Sequence, residues 1–208
     1  MRASRTAIVL VTLLPLAAPL AGCESAGQSR SVQLAGRPTW GPGDSWSYRG
    51  RGRDGAYTLT RRVLQEGIFA GREAYEIEAG EARYWYTTQL GYLARTQGGR
   101  TVRQAMPPED WQWPLQVGKS WSATVTWVDG AEQERRFVLT SVWAVEAYEE
   151  VGTPAGTFKA FKVSRREIES GASHEFWYSP DVKGWIKLRG ADTAEGSYEE
   201  ELTAYTAR

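Results

Sequence analysis

The chain of 208 residues has one cysteine and one histidine. With Cys23 as the only thiol, an internal disulfide is excluded, and the fold must rest on its core. With His174 as the only imidazole, a His-rich metal site is excluded. A Ser-His-Asp arrangement would have to use His174, which sits in the alternating stretch "SHEFWY" with no elbow motif around any serine. Net charge is missing as well: 25 Lys and Arg stand against 25 Asp and Glu. No basic field exists to draw in a polyanion, so nucleic acid is not an expected partner. Walker-type phosphate loops are absent, and "GADTAEG" at 190–196 lacks metal-loop spacing. No stretch of eleven residues has a convincing helical period. A short helical turn is the most expected, at "PPEDW", Pro107 to Trp111. These absences predict a non-enzymatic protein without a cofactor or metal.

Carboxylates are present, as Glu109, Asp110, Glu149, Glu150, Glu199, Glu200 and Glu201. Hydrolysis of a sugar needs two of them facing each other across a cleft. Neighbours on a strand point to opposite faces, so these runs read as solvated edges that discourage strand pairing.

The start of the chain is a targeting signal. Arg2 and Arg5 precede the apolar run "AIVLVTLLPLAAPLA", which is short for a membrane span and interrupted by Pro15 and Pro19. It ends in "LAGC", Leu20 to Cys23, which resembles the lipobox of bacterial lipoproteins. That resemblance implies cleavage before Cys23 and acyl chains on it, with residues 1–22 as signal peptide. An ordinary secretory signal beside a stray cysteine is the alternative. Without Arg2 and Arg5 the count is 23 basic against 25 acidic residues, so attachment to a membrane would come from acyl chains and not from charge. Residues 23–38 form the lipidated cysteine and a polar tether, which spans roughly 20 Å. Glu24, which is not Asp, favours the outer membrane, facing the periplasm, by resemblance to enterobacterial lipoproteins.

Residues 39–208 read as one β domain. Hydrophobic residues make up 41% of the chain and ten are tryptophan, which argues against disorder. "WSATVTW" places Trp121, Ala123, Val125 and Trp127 on one face. Phe137, Leu139, Ser141, Trp143 and Val145 alternate in the same way, as do Tyr57, Leu59 and Val63, and Tyr75, Ile77 and Ala79. A period of two marks half-buried antiparallel strands. Asp54-Gly55, Gly98-Gly99 and Asp129-Gly130 punctuate them.

"GDSWS" at Gly43 returns as "GKSWS" at Gly118, and the echo continues. Trp85, Tyr86 and Arg95 in the first copy match Trp177, Tyr178 and Arg189 in the second. The order predicts two duplicated halves, about 43–95 and 118–189, of about five strands each, joined by 100–117. The second is longer around "EAYEEVGTPAGTF". One such sheet would leave an open edge and a wet apolar face. The prediction is a strongly curved antiparallel sheet, either an open barrel or a sandwich, with little helix.

The repeated tryptophans, Trp46, Trp85, Trp121, Trp177 and Trp185, are the candidate ligand-lining residues. Core filling is the other role open to them. A ring-lined cavity would take a lipid or other hydrophobic ligand.

"WPLQVGKSW", "VGTPAGTFKAFKV" and "FWYSPDVKGWIKL" resemble a group of uncharacterised exported bacterial lipoproteins. Its patterns are Pro-Leu-x-Val-Gly-x-x-Trp, Val-x-x-Pro-Ala-Gly-Thr-Phe and an aromatic strand ending Tyr-Ser/Ala-Pro-x-Val-Gly. Here Lys183 intrudes between Val182 and Gly184. The resemblance implies an all-β exported domain and brings no catalytic residues. A more distant architectural likeness is to the lipoprotein carriers LolA and LolB, whose open barrel holds acyl chains. The expectation is a lipid-anchored envelope protein that binds an apolar or amphipathic ligand or another envelope component. The alternatives are a carbohydrate-binding or glycan-processing lipoprotein, and a purely structural or assembly lipoprotein.

Overall fold

The computed structural model of the protein describes residues 33–130, 135–192 and 196–208. The signal segment, Cys23 and the tether up to residue 32 lie outside the described residues.

Twelve strands form among these residues, and no helix. They are β1 (Ser45–Gly52), β2 (Gly55–Phe69), β3 (Arg72–Ala79), β4 (Ala82–Thr87), β5 (Tyr92–Gln97), β6 (Arg100–Glu109), β7 (Ser120–Asp129), β8 (Arg135–Thr153), β9 (Gly156–Glu167), β10 (Ser173–Ser179), β11 (Gly184–Asp192) and β12 (Gly196–Thr206). Each pairs antiparallel with its neighbours in sequence, and β1 also pairs with β12, from Ser45↔Thr206 to Arg51↔Glu199. The sheet is therefore a closed barrel. This corrects the expected open barrel or sandwich: the pairing of β1 with β12 satisfies both free backbone edges at once.

Six strands precede the linker before Ser120 and six follow it, not five and five. The two additional strands are β6, in 100–109 where a linker was expected, and β12, beyond the expected end of the second half at 189. Pro107 and Pro108 sit at its end and make no helical turn. The ladder to β7 stops at Met106↔Thr126, just before the residues that lack an N–H to give it. The same irregularities recur in both sets of six. Register shifts fall at Val63/Gln65 between β2 and β3, and at Val145/Ala147 between β8 and β9. They also fall at Trp85/Tyr86 between β4 and β5, and at Trp177/Tyr178 between β10 and β11.

The period-two faces are the inner wall. Cross-strand partners carry it round the barrel: Val63↔Ile77, Ile77↔Tyr84, Tyr84↔Arg95, Arg95↔Arg103, then Ala105↔Trp127, Trp127↔Phe137, and on through Trp143↔Arg165 and Val163↔Phe176.

One end of the barrel is plugged. Ala35 pairs with Leu115 through two backbone hydrogen bonds, so the expected tether to Pro38 gives way to ordered chain by Ala35. Trp40 then lies against Trp46, Tyr75 and Trp185, with ring centroids 5.0, 5.4 and 6.1 Å apart. Its indole N–H donates to the Lys183 carbonyl (2.6 Å), and that of Trp46 to the Val182 carbonyl (2.9 Å). Lys183, the intruding residue, thus supplies part of the plug, in a turn with φ +55. A Cβ on Gly184 would stand 2.9 Å from the Trp46 indole nitrogen, so the position has no room for a side chain. The β8–β9 hairpin turns at Pro154-Ala155, where the second half was expected to be longer, and Ala155 N–H donates to the Leu202 carbonyl of β12. The antiparallel order places the β1–β2, β3–β4 and β5–β6 turns at the opposite end.

Candidate functional site

Inside the barrel is a cavity of about 360 Å³. Its lining mixes rings with charge. Leu90, Trp111, Trp127, Trp143, Phe176, Trp185 and Leu188 stand beside Tyr86 and Tyr92, and Arg61 and Glu109 lie among them, Arg61 directly against the plug. The rings touch one another: Tyr86 meets Tyr92 at 5.9 Å and Trp185 at 6.2 Å, and Trp111 stacks on Trp185 at 6.2 Å. The strands also present Tyr84, Arg95, Arg103, Arg165, Glu167, His174 and Tyr198 to it.

Two charge clusters are built into the inner wall. Arg165 on β9 donates to both oxygens of Glu109 (3.2 and 3.1 Å) and to Glu167 (2.7 Å). Trp143 also donates to Glu109, at 2.9 Å, and Ser170 holds Glu167. All three charged groups are buried. Arg61 on β2 grips Glu200 on β12 with two parallel hydrogen bonds (2.7 and 3.1 Å), Tyr57 donates to the same carboxylate, and the guanidinium lies 4.8 Å over the Tyr48 ring. Fork-to-fork pairing of this kind is geometrically specific and makes burial of both charges tolerable. These acidic residues are therefore not solvated edges. Glu200 faces inward, whereas Glu199 and Glu201 face outward and pair with Lys187, Arg189 and Arg49. His174 faces inward, with Nδ1 2.9 Å from the Tyr198 hydroxyl.

Burial raises the tyrosines of the interior. The phenol of Tyr86, surrounded by protein although part of the ring faces the cavity, is pushed up to about 12 by desolvation, against the opposing pull of Arg61. Tyr92, Tyr48 and Tyr178 are raised further, in each case chiefly by burial.

The five candidate tryptophans separate. Only Trp185 lines the cavity. Trp46 is buried in the plug. Trp121 faces inward but is half-buried, stacked on Trp143 at 5.5 Å with the rings 8° apart. Trp85 and Trp177 lie on the outer face. Trp85 stacks on Phe69 at 4.7 Å, and Trp177 is buried beneath Lys162 and Arg189 with its N–H on Glu149 (2.7 Å). Alternation accounts for this: Tyr84, Tyr86 and Phe176 hold the inward positions on those strands. The lining that sequence reasoning missed is Trp111, Trp127 and Trp143 together with four arginines. Arg61 and Arg165 continue the inward period beside Leu59, Val63 and Val163, and that was their signal.

No protein family model matches the chain, and no curated protein matches it. Solved structures are similar to it at low identity. A Bacteroides fragilis protein described as exported, with a YmcC-like fold, is 14% identical, with 84% of this chain and 100% of that chain covered and a TM-score of 0.49. A protein described as a lipoprotein, from Parabacteroides distasonis, is 13% identical over 84% of this chain and 100% of that one, at a TM-score of 0.38. The hypothetical lipoprotein YmcC from Escherichia coli is 11% identical over 82% of this chain and 89% of that one, at 0.42. Likenesses of this degree carry no argument about the site.

Proposed function

We propose that this protein is a non-enzymatic envelope lipoprotein whose barrel interior receives an amphipathic ligand. The observation that carries the reading is an interior cavity of about 360 Å³ lined mostly by aromatic rings with charged groups placed among them. Ligand pockets are concave, mostly apolar and supplied with a few placed polar groups, and run from about 300 to 1,000 Å³. The rings offer apolar contact to a chain and the charged groups offer contact to a polar head. The inward carboxylates Glu109, Glu167 and Glu200 are each held by an arginine, which suits a structural role better than acid–base work. The acyl chains that would anchor the protein to the outer membrane, facing the periplasm, belong on Cys23 of the "LAGC" motif. Two or more such chains hold a protein stably.

The barrel also reads as the product of a duplication. Trp46 and Trp121 each begin the first strand of a set of six and face inward, while Trp85 and Trp177 fall on the fourth strand and face outward. The paired register shifts support the same correspondence.

The ligand reading is tested by titrating the full chain with a fluorescent fatty acid. Saturable binding at one site is expected. Leu188→Trp, which fills the cavity from β11, should abolish it while leaving the melting temperature near that of the parent. Absence of saturable binding across a broad panel of lipids would sink the reading, as would binding indifferent to Leu188→Trp.

A further inference from the structure

The interior charge is unevenly shared. Arg165 has two carboxylates and Arg61 has one. On the β5–β6 wall the balance reverses. Arg95 and Arg103 are direct cross-strand partners, both on the cavity. Like charges placed opposite each other on neighbouring strands destabilise a sheet unless something neutralises them. Their acidic company is thin. Arg103 has Asp129, with Nε 3.4 Å from Oδ1 but without hydrogen-bond geometry, and the side chains remain partly exposed. Arg95 donates from Nη2 to the side-chain oxygen of Gln97, at 3.3 Å.

Three N–H donors on β5, β6 and the neighbouring β7 are buried with no hydrogen-bond partner among the described residues: Arg95 Nε, Arg103 Nε and the indole nitrogen of Trp127. Trp127 lies beneath Arg103, whose guanidinium carbon is 4.5 Å from the ring centroid, and lines the same cavity. Buried polar groups are paired in the great majority of cases, and an orphan is costly. Here the orphans are all donors, two of them cationic, on three neighbouring strands. Both guanidiniums line the cavity as direct cross-strand partners, and a negatively charged group there would offset their mutual repulsion.

We propose that Arg95 and Arg103, the latter backed by the Trp127 ring, form a receptor for the anionic group, phosphate or carboxylate, of the amphiphile that occupies the barrel. This rests on the amphiphile reading above and names the chemistry of its head. The rings of the lining take the chain, and the arginine pair on β5 and β6 takes the charge.

The test is a set of four probes with the same ten-carbon chain, decyl phosphate, decanoate, decanol and decylamine, with inorganic phosphate alone as the fifth. Each is titrated into the full chain and read by tryptophan fluorescence. The two anions should bind about ten-fold or more tighter than decanol, and decylamine weaker still. Arg95→Gln and Arg103→Gln should each reduce the anions toward decanol and leave decanol itself unchanged. Arg95→Lys, which keeps the charge, should preserve the preference for anions, and melting temperatures confirm that each variant is folded. Equal binding of anions and decanol, or anion binding indifferent to both Gln variants, overturns the receptor while the amphiphile site stands. Inorganic phosphate that binds in an arginine-dependent way when no decyl compound binds supports the receptor and overturns the amphiphile reading.

Discussion

At the residue scale the barrel interior is held by a few polar contacts that cannot be removed one-sidedly. Arg165 neutralises Glu109 and Glu167 at once, and all three are buried. Truncating it leaves two carboxylates facing an aromatic wall. Arg165→Ala should therefore lose about 3–5 kcal/mol, as expected for breaking a buried ion pair by removing one partner. Denaturant unfolding measures this, and a loss below about 1 kcal/mol would show the cluster to be well hydrated. The interior phenols predict an alkaline limit. Tyr86 titrates at about 12 in the folded protein against 10.0 for the free side chain. A raised pKa contributes stability that is fully present below the unfolded value and is lost as pH rises through the folded one. Melting temperature should fall between about pH 10 and 12, together with the rise in phenolate absorbance. A phenolate rise that comes near pH 10 without loss of structure would contradict the burial. Period two in the sequence already points Arg61 and Arg165 inward. What it leaves unseen is the partner: Glu200 lies 139 residues from Arg61, and only closure of the barrel brings them together.

At the element scale the alternating strands were legible because each buries one face. The apolar sets at 57–63, 75–79, 121–127 and 137–145 all fall on the inner wall. The fate of individual tryptophans was less legible, because one position decides inside from outside and a register shift alters the count. Trp85 and Trp177 illustrate this, each lying beside a register shift and facing outward. The first strands of the two sets make a quantitative comparison. Trp46 is 3% exposed and its indole is bonded to Val182. Trp121 is half-buried, and its indole nitrogen has no hydrogen-bond partner among the described residues. Trp46→Ala should cost about 3–5 kcal/mol, and Trp121→Ala clearly less. Equal losses in chemical denaturation would mean that matching strand positions also bear matching loads.

At the scale of the whole molecule, closure is the feature that the sequence left open. Twelve strands of antiparallel meander can lie as a curved sheet or join their ends. The choice depends on whether β1 and β12, more than 140 residues apart, meet in register, and pairs such as Arg49 with Glu201 (2.7 Å) lie along that seam. Closure gives the aromatic residues an inside, and the plug at one end gives that inside a floor. The anchor belongs to this scale too. Cys23→Ser should abolish acylation and processing, and lipid still found on the mature N-terminus of that variant would contradict the "LAGC" reading.

The account turns on whether the barrel carries an amphiphile, and native mass spectrometry of the protein extracted from its own membrane tests this most directly. The predicted result is a bound species, beyond the covalent acyl chains, whose mass matches an anionic lipid and which disappears in Leu188→Trp. A single ligand-free mass in the parent protein, under conditions gentle enough to keep an established lipid-binding protein loaded, would contradict it.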